Sequence, residues 1–525
     1  MTCVTTRQLG AAAVVTAALI LPQTAFSADE AQRTERITIA IPTDLRSTNP
    51  GVQRDGTADL IMNHVVEGLV GHRQDLSVGP VLAESFEPSA DGLSWRFQLR
   101  KGVHFQNGAE MTSADVAWSW NRYLKAETAW QCKRFFDGKQ GAAITAIETP
   151  EPYAVVFRLE KPNPMLPLFM SNLQCNAAIL HPSSVNEDGS WKAPVGTGPY
   201  VIGDWKPGRY VELDRFDGYT GREGPSDGMT GAKPALADHL RFLIAPDGTV
   251  MKNALYAGEL DFVPELGAAE IPEAESRGVS IYKQPILSWH LLLMQTQDPV
   301  LKDPRIRKAI AHAIDVPSIV AVASEGVATA NPSGVATASP YHNATHDQWP
   351  AYDPALAQKL LKEAGYKGEP IRIQTNMRPG GYHETAVTAQ AMMQAAGINA
   401  QIEVLDWATQ LQNYLQGKYQ MQSFVYSSRL DPALAYSSII GDKTEQPSAS
   451  WDDPDAIKLL EAAKQTMDPA VRGKIFDRIH SRMAEAVPVI GLYNDVRVIA
   501  TAPDLKGYTP WSAGFDRFWG VTKTK

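Results

Sequence analysis

Between residues 93 and 99 apolar and polar side chains alternate. Leu93, Trp95, Phe97 and Leu99 take one face, and Ser94, Arg96 and Gln98 the other, followed by Arg100. This period of two predicts a half-buried strand. Ala90-Asp91-Gly92 before it and Asn107-Gly108 after it read as turns, because glycine reaches positive φ without steric cost. At Thr112 the period changes. Thr112 and Asp115 have capping-box spacing, and Val116, Trp120, Tyr123 and Leu124 follow at helical intervals.

The same reading extends along the chain. Ile37 to Ile41 is a short apolar strand, and Leu60, Ile61, Val65 and Leu69 repeat with a helical period. Tyr153 to Leu159 reads as a strand, after which Pro162, Pro164 and Pro167 break regular structure. Trp289 to Met294 is a strand. Asp303-Pro304 then supplies an N-cap and a proline at the first helical position, with Ile306, Ile310, Ala313 and Ile314 as the apolar face. Asp353-Pro354 repeats that start, with Leu356, Leu360 and Leu361 inward and Gly365 as the stop. Strand Ile371–Thr375, helix Glu384–Ala396 and strand Ile398–Leu405 alternate as an α/β unit requires.

The block from Gly79 to Leu124 also carries a resemblance. Pro80, Leu82-Ala83-Glu84-Ser85, Asp91-Gly92, Phe97, Leu99-Arg100, Gly102-Val103, Phe105, Gly108, Thr112 and Asp115-Val116 fall in one order. That order resembles the signature of the family 5 extracellular solute-binding proteins, the periplasmic receptors of peptide, opine and nickel ABC importers. Gly196-Thr197-Gly198-Pro199-Tyr200, the helix end Asn253–Asp261 and the run Asp303–Asp315 are similar to further family segments. The glycine loop lacks phosphate-binding spacing, and Pro199 removes a donor, so it reads as a structural turn.

The resemblance implies an α/β, two-lobed periplasmic-binding-protein fold with an enlarged lobe I and two hinge strands. It divides the chain into a signal peptide (1–27), lobe I with an extra subdomain (28–284), lobe II (285–490) and a return to lobe I (491–525). The tail aromatics Tyr508, Trp511, Phe515 and Phe518-Trp519 are expected to pack back on lobe I.

Length and charge agree with an ordinary globular protein of two or three domains: 525 residues, 20% charged, net charge −9. No basic cluster marks a nucleic-acid partner. Arg7, the apolar run Leu9–Leu21 and the small residues Ala25-Phe26-Ser27 read as an export leader cleaved after Ser27. The apolar run is short of the roughly 20 residues a spanning helix needs. A soluble periplasmic protein, monomeric, is expected. Cys132 and Cys175 remain after cleavage, and an even count in an oxidising compartment favours a disulfide over two buried thiols.

No catalytic motif is present: HExxH, GxSxG, CxxC and Walker A are absent. The chain reads as a binding protein, not an enzyme, with no cofactor. His342 and His346 share one short segment, HNATH. With no further ligand close in sequence, they read as a solvated loop rather than a metal site. Binding is expected at the cleft between lobes, closed by hinge motion.

Arg378, just past a strand end, could hold a carboxylate or phosphate bidentately; the alternative is a surface arginine on a Gly-Gly loop. Its setting resembles the arginine that holds the ligand carboxylate in dipeptide-binding members. In Phe424–Pro432 the resemblance places Ser428 where peptide receptors have the aspartate that pairs with the ligand amino group. Losing that partner removes roughly 1.5–3 kcal/mol. Arg429 and Tyr426 align with a variant segment of glutathione-receptor-like members. Tyr382, Tyr426 and Trp289 are candidate aromatic walls, with core packing as the alternative. Asn49, in Thr48-Asn49-Pro50, stands where the family carries an LDP-like triplet facing the cleft; the residues are near that pattern without being identical to it. The implied partners are a peptide or other small solute and an ABC permease. Peptide or peptide-like solutes come first, then an anionic opine or sugar phosphate, then nickel or haem.

Overall fold

The computed structural model describes residues 1–2, 33–139, 141–378 and 380–524. The leader read over residues 1–27, with its cleavage after Ser27, falls outside the described residues apart from the first two. None of the described helices is long and apolar enough to cross a membrane.

Two sheets organise the described chain. The first has seven strands in the order Ser280–Pro285, Val496–Thr501, Phe262–Val263, Thr34–Ile41, Ala237–Ile244, Tyr210–Arg215 and Tyr200–Lys206. The second has five: Ala400–Val404, Ile371–Thr375, Met421–Tyr426, Trp289–Met294 and Val489–Tyr493. All six residues of Trp289–Met294 are buried, as befits a strand covered on both faces. A four-stranded antiparallel sheet, Ala83–Pro88, Ser94–Leu99, Ala154–Leu159 and Ile144–Glu151, forms a further layer on the lobe I side.

The chain changes sheet twice, at residues 286–288 and at Asn494-Asp495. The second change lies slightly beyond the expected 490/491 division, because Gly491 and Tyr493 still pair with Leu291 and His290. The two crossings brace each other. Ile286 N donates to Asp495 O at 2.8 Å, Asp495 N donates to Ser288 Oγ at 2.9 Å, and His290 Nε2 lies 2.6 Å from Asp495 Oδ1.

Local signals act as their chemistry requires. Thr112 and Asp115 form the capping box of helix Ser113–Leu124, which buries Val116, Trp120 and Tyr123. Asp303 caps helix Pro304–Ala313, and Gly365, at φ 73°, ends helix Pro354–Ala364. That last helix buries Ala357 and Leu361, while Leu356 and Leu360 stay half-buried. The loop at Gly196–Gly198 is structural. A Cβ on either glycine would lie 2.6 Å from backbone atoms of His64 or Val65, so only glycine permits this approach. Thr197 Oγ1 meanwhile donates to Glu67, which is buried in an ion pair with Lys233.

Cys132 and Cys175 are joined in a disulfide. It ties the short helical turn Gln131–Phe135 to the core holding Trp120, Trp130 and Phe136. Closing a loop of this size contributes roughly 4 kcal/mol in the chain-entropy picture. Cys132→Ser with Cys175→Ser should lower the urea midpoint accordingly, and a reductant should do the same to the wild type but nothing to the double variant.

Tyr508 and Phe518 of the tail join Ile37, Ile39 and Phe242 in the lobe I core. Trp511 and Trp519 pack with Leu76 and Met229 of lobe I and with Leu287 and Ala336 beyond the crossing. A buried apolar cluster therefore lies beside the two crossings.

Candidate functional site

A small cavity opens where strand Met421–Tyr426 runs out beside the first crossing. Trp289, Gly334, Ser339, Tyr426, Arg429 and Asn494 are among its lining residues. Strand pairing sets the aromatic wall, because Trp289 and Tyr426 are register partners with ring centroids 6.4 Å apart. The Tyr426 hydroxyl is held by Ser438 O at 3.1 Å and Tyr414 Oη at 3.2 Å. Trp289 is 2% exposed, and its indole N–H is buried with no partner among the described residues.

Arg429 sits at the mouth. Its backbone N–H donates to Leu287 O, and its guanidinium donates to Ser427 O at 3.0 Å and Ser427 Oγ at 2.6 Å. Burial lowers the pKa of this guanidinium, while the neighbouring Tyr426 and Tyr414 act against the shift. Ser428, which precedes Arg429 in the chain, is half-buried. The acid two residues on, Asp431, is engaged elsewhere. It caps helix Pro432–Tyr436 and receives two 2.6 Å bonds from Arg472, with both side chains nearly inaccessible.

Of the residues singled out from sequence, Trp289, Tyr426 and Arg429 come together here, whereas Ser427 rather than Ser428 lines the cavity. Arg378 and Tyr382 form a separate group about Trp407. The Arg378 guanidinium lies 4.7 Å from that ring centre, and the Tyr382 ring centroid is 6.0 Å from it. Arg378 is exposed, and neither residue lines the cavity. Asn49 is not brought to the cavity either. Its Oδ1 accepts from Arg122 Nη2 at 3.0 Å, and Arg122 lies over Trp191 at 5.0 Å, so the triplet anchors a lobe I helix instead.

The histidine segment also differs from its expectation. His346 is fully buried, not solvated, beside the equally buried His480 and with Asp477 Oδ1 3.6 Å from its Nε2. The helix Pro469–Ala486 delivers Asp477 and His480 from far along the chain, which no local pattern reveals. Among the described residues, the group that brings three potential metal-ligand atoms within 4.8 Å is Glu212, Asp214 and His239. Glu212 there is already paired with Arg36 and Arg241, and His239 with Asp214.

Sequence reasoning missed Asn494, which arrives through the second crossing, and Gly334 and Ser339, which lie in a loop without periodicity. It also missed the Arg472 partner of Asp431, whose helix shows only its N-cap and Pro469 locally.

Residues 77–448 match the family described as bacterial extracellular solute-binding proteins, family 5 Middle. Over 520 residues, 95% of either chain, the protein is 26% identical to the glutathione-binding protein GsiB of Escherichia coli O1:K1. The structure of HbpA2 from Haemophilus parasuis superposes with a TM-score of 0.82 at 21% identity, covering 94% of this chain and all of that one. The periplasmic binding protein DppA of Helicobacter pylori, in complex with peptide STSA, gives 0.73 at 24% identity, covering 95% and 99%.

Proposed function

From the premise that this chain belongs to the family 5 bacterial extracellular solute-binding proteins, we propose that it is the periplasmic receptor of an ABC importer. It captures a peptide or peptide-like solute between its lobes and hands it, unaltered, to a membrane permease. The observation that carries this reading is the family match over residues 77–448; the cavity beside the crossings, about 10 Å³ as it stands, would have to open to admit a solute. An unpartnered indole donor, a guanidinium free of any carboxylate and an aromatic wall converge there, between elements of both crossings. A site of that composition grips a polar solute by a few oriented groups. Nothing in it pairs a nucleophile with a base, so the solute leaves as it came. The named ligands of the relatives, glutathione and the peptide STSA, are of the proposed class.

A second reading, an anionic solute that is not a peptide, is favoured by Ser428, which offers no carboxylate to an α-amino group. Native mass spectrometry of the exported protein should reveal a co-purified solute. Thermal-shift titration with glutathione and short peptides should then show stoichiometric stabilisation with the solute recovered intact. Cleaved solute, or neither a bound mass nor a shift, would remove the proposal.

A further inference from the structure

A second hollow, of about 570 Å³, opens at the other pole of lobe II. Strand Trp289–Met294 leaves the first crossing at Trp289 and runs out at Gln295, which lines this hollow. Six residues at roughly 3.3 Å each put it about 20 Å from the cavity beside the crossings. Its size is that of a small-molecule pocket. What it binds is independent of the solute read for the cleft.

The hollow has a built floor. Gly417, at φ 68° just past helix Trp407–Leu415, runs so close to Pro447 that a Cβ would stand 2.6 Å from Pro447 O. Gln295 Nε2 donates to Gly417 O at 3.2 Å, and Gln295 Oε1 accepts from the Lys443 ammonium. Lys443, with a side chain 6% exposed, also donates to Thr296 Oγ1 at 2.7 Å. On the strand side Gln374 accepts from Gln422 Nε2 at 2.8 Å and donates to Glu403 Oε2 at 3.1 Å, its partners in register.

One buried group in this wall is left over. The Tyr419 hydroxyl is inaccessible and has no partner among the described residues. A buried hydroxyl without a partner is costly, so a group from outside is called for. Burial raises its pKa, which leaves a neutral hydroxyl able to donate and to accept. Near it in the lining, the side chains of Arg372, Gln416 and Lys418 also have no hydrogen bond or ion pair among the described residues. Asp298 and Glu403 bring carboxylates that carry no ion pair. A lone anion or a lone cation would therefore satisfy one set and oppose the other.

We propose that this hollow is a second ligand site, which takes a polyhydroxylated molecule, a saccharide or polyol, through Tyr419, Gln416 and Arg372. A hydroxyl donates to a carboxylate or amide oxygen and accepts from a guanidinium, ammonium or amide N–H, so one kind of ligand group serves both sets. The lining residues all lie between 295 and 447, within lobe II. Binding there has no differential affinity for open and closed forms, and so does not drive closure.

Ligand-detected NMR titration of the exported protein tests this, with maltose, sorbitol, inorganic phosphate and glutamate as probes. Maltose or sorbitol should bind saturably, in the millimolar range or tighter, and the two anions should not. Tyr419→Phe keeps the ring and removes the hydroxyl, and should weaken sugar binding about three- to tenfold, the span of one neutral hydrogen bond. Gln416→Ala should act in the same direction, while Arg429→Gln, in the cavity beside the crossings, should change nothing. Without ligand, Tyr419→Phe should be at least as stable as wild type, because the hydroxyl it loses is unpartnered. Silence from maltose and sorbitol would overturn the site, as would sugar binding indifferent to both Tyr419→Phe and Gln416→Ala, or abolished by Arg429→Gln. Phosphate or glutamate binding in place of the sugars would overturn the class of ligand.

Discussion

Replacing Asp431 with alanine should destabilise the protein by about 3–5 kcal/mol, the usual consequence of stripping one partner from a buried ion pair. Arg472 is the reason. Its side chain is 1% exposed, and both guanidinium ends are committed to Asp431 at 2.6 Å. Ala463 O at 3.1 Å and the Tyr341 hydroxyl at 3.2 Å take two of the three remaining donors, but neither carries a compensating charge. The variant also loses the cap on helix Pro432–Tyr436, worth roughly 1 kcal/mol. Because Asp431 lies two residues from Arg429, solute affinity should fall with stability. Urea denaturation reads the first effect and titration calorimetry the second. Combining Asp431→Leu with Arg472→Met should recover much of the stability, since an apolar pair leaves no orphaned charge. An Asp431→Ala variant as stable as wild type would show that water reaches Arg472.

Acid should weaken the fold well before its surface carboxylates are protonated. His64 and His346 are fully inaccessible, and burial draws each pKa down to about 4. Burial also lowers His72 and His480. Each folded-state pKa lies below the unfolded value near 6.5, so the unfolded chain binds more protons between those limits. The stability conferred by neutral histidine is complete above about pH 6.5 and is lost as pH falls toward 4. A shift of that size corresponds to at most about 3 kcal/mol per histidine.

Asp59 runs the other way. Burial outweighs its pairing with Arg54 and raises its pKa to about 6, so acidification relieves rather than costs there. Four histidines against one carboxyl leave a net loss. The urea midpoint should therefore drop steeply between pH 6.5 and 4.5. His346→Gln should flatten part of that slope, because it removes one titrating group from the cluster with His480 and Asp477. A flat profile over this range would mean the imidazoles charge in place.

Two kinds of information are separated in this molecule. Helix starts at Thr112, Asp303 and Asp353, the stop at Gly365 and the buried strand Trp289–Met294 were legible because a cap or a repeat acts over a few residues. So was the family signature, a string of such local features in order. The cavity was half legible. Trp289, Tyr426 and Arg429 lie on or beside two paired strands, and their positions follow from strand ends. Arg378 and Tyr382 carry the same chemistry, yet the strand end that holds them leads to Trp407. Asn49 resembles a cleft residue in sequence and instead secures Arg122.

The sequence alone determined the order of elements, their caps, the export leader as an expectation and the class of fold, because backbone preference and apolar period are short-range properties. Tertiary structure decided the rest: that Trp289 and Asn494 line one cavity, that Arg472 neutralises Asp431, and that His480 closes on His346. Those pairs are joined by how two lobes and a returning tail pack. Such packing depends on the summed burial of many distant side chains, and no stretch of the chain states it locally.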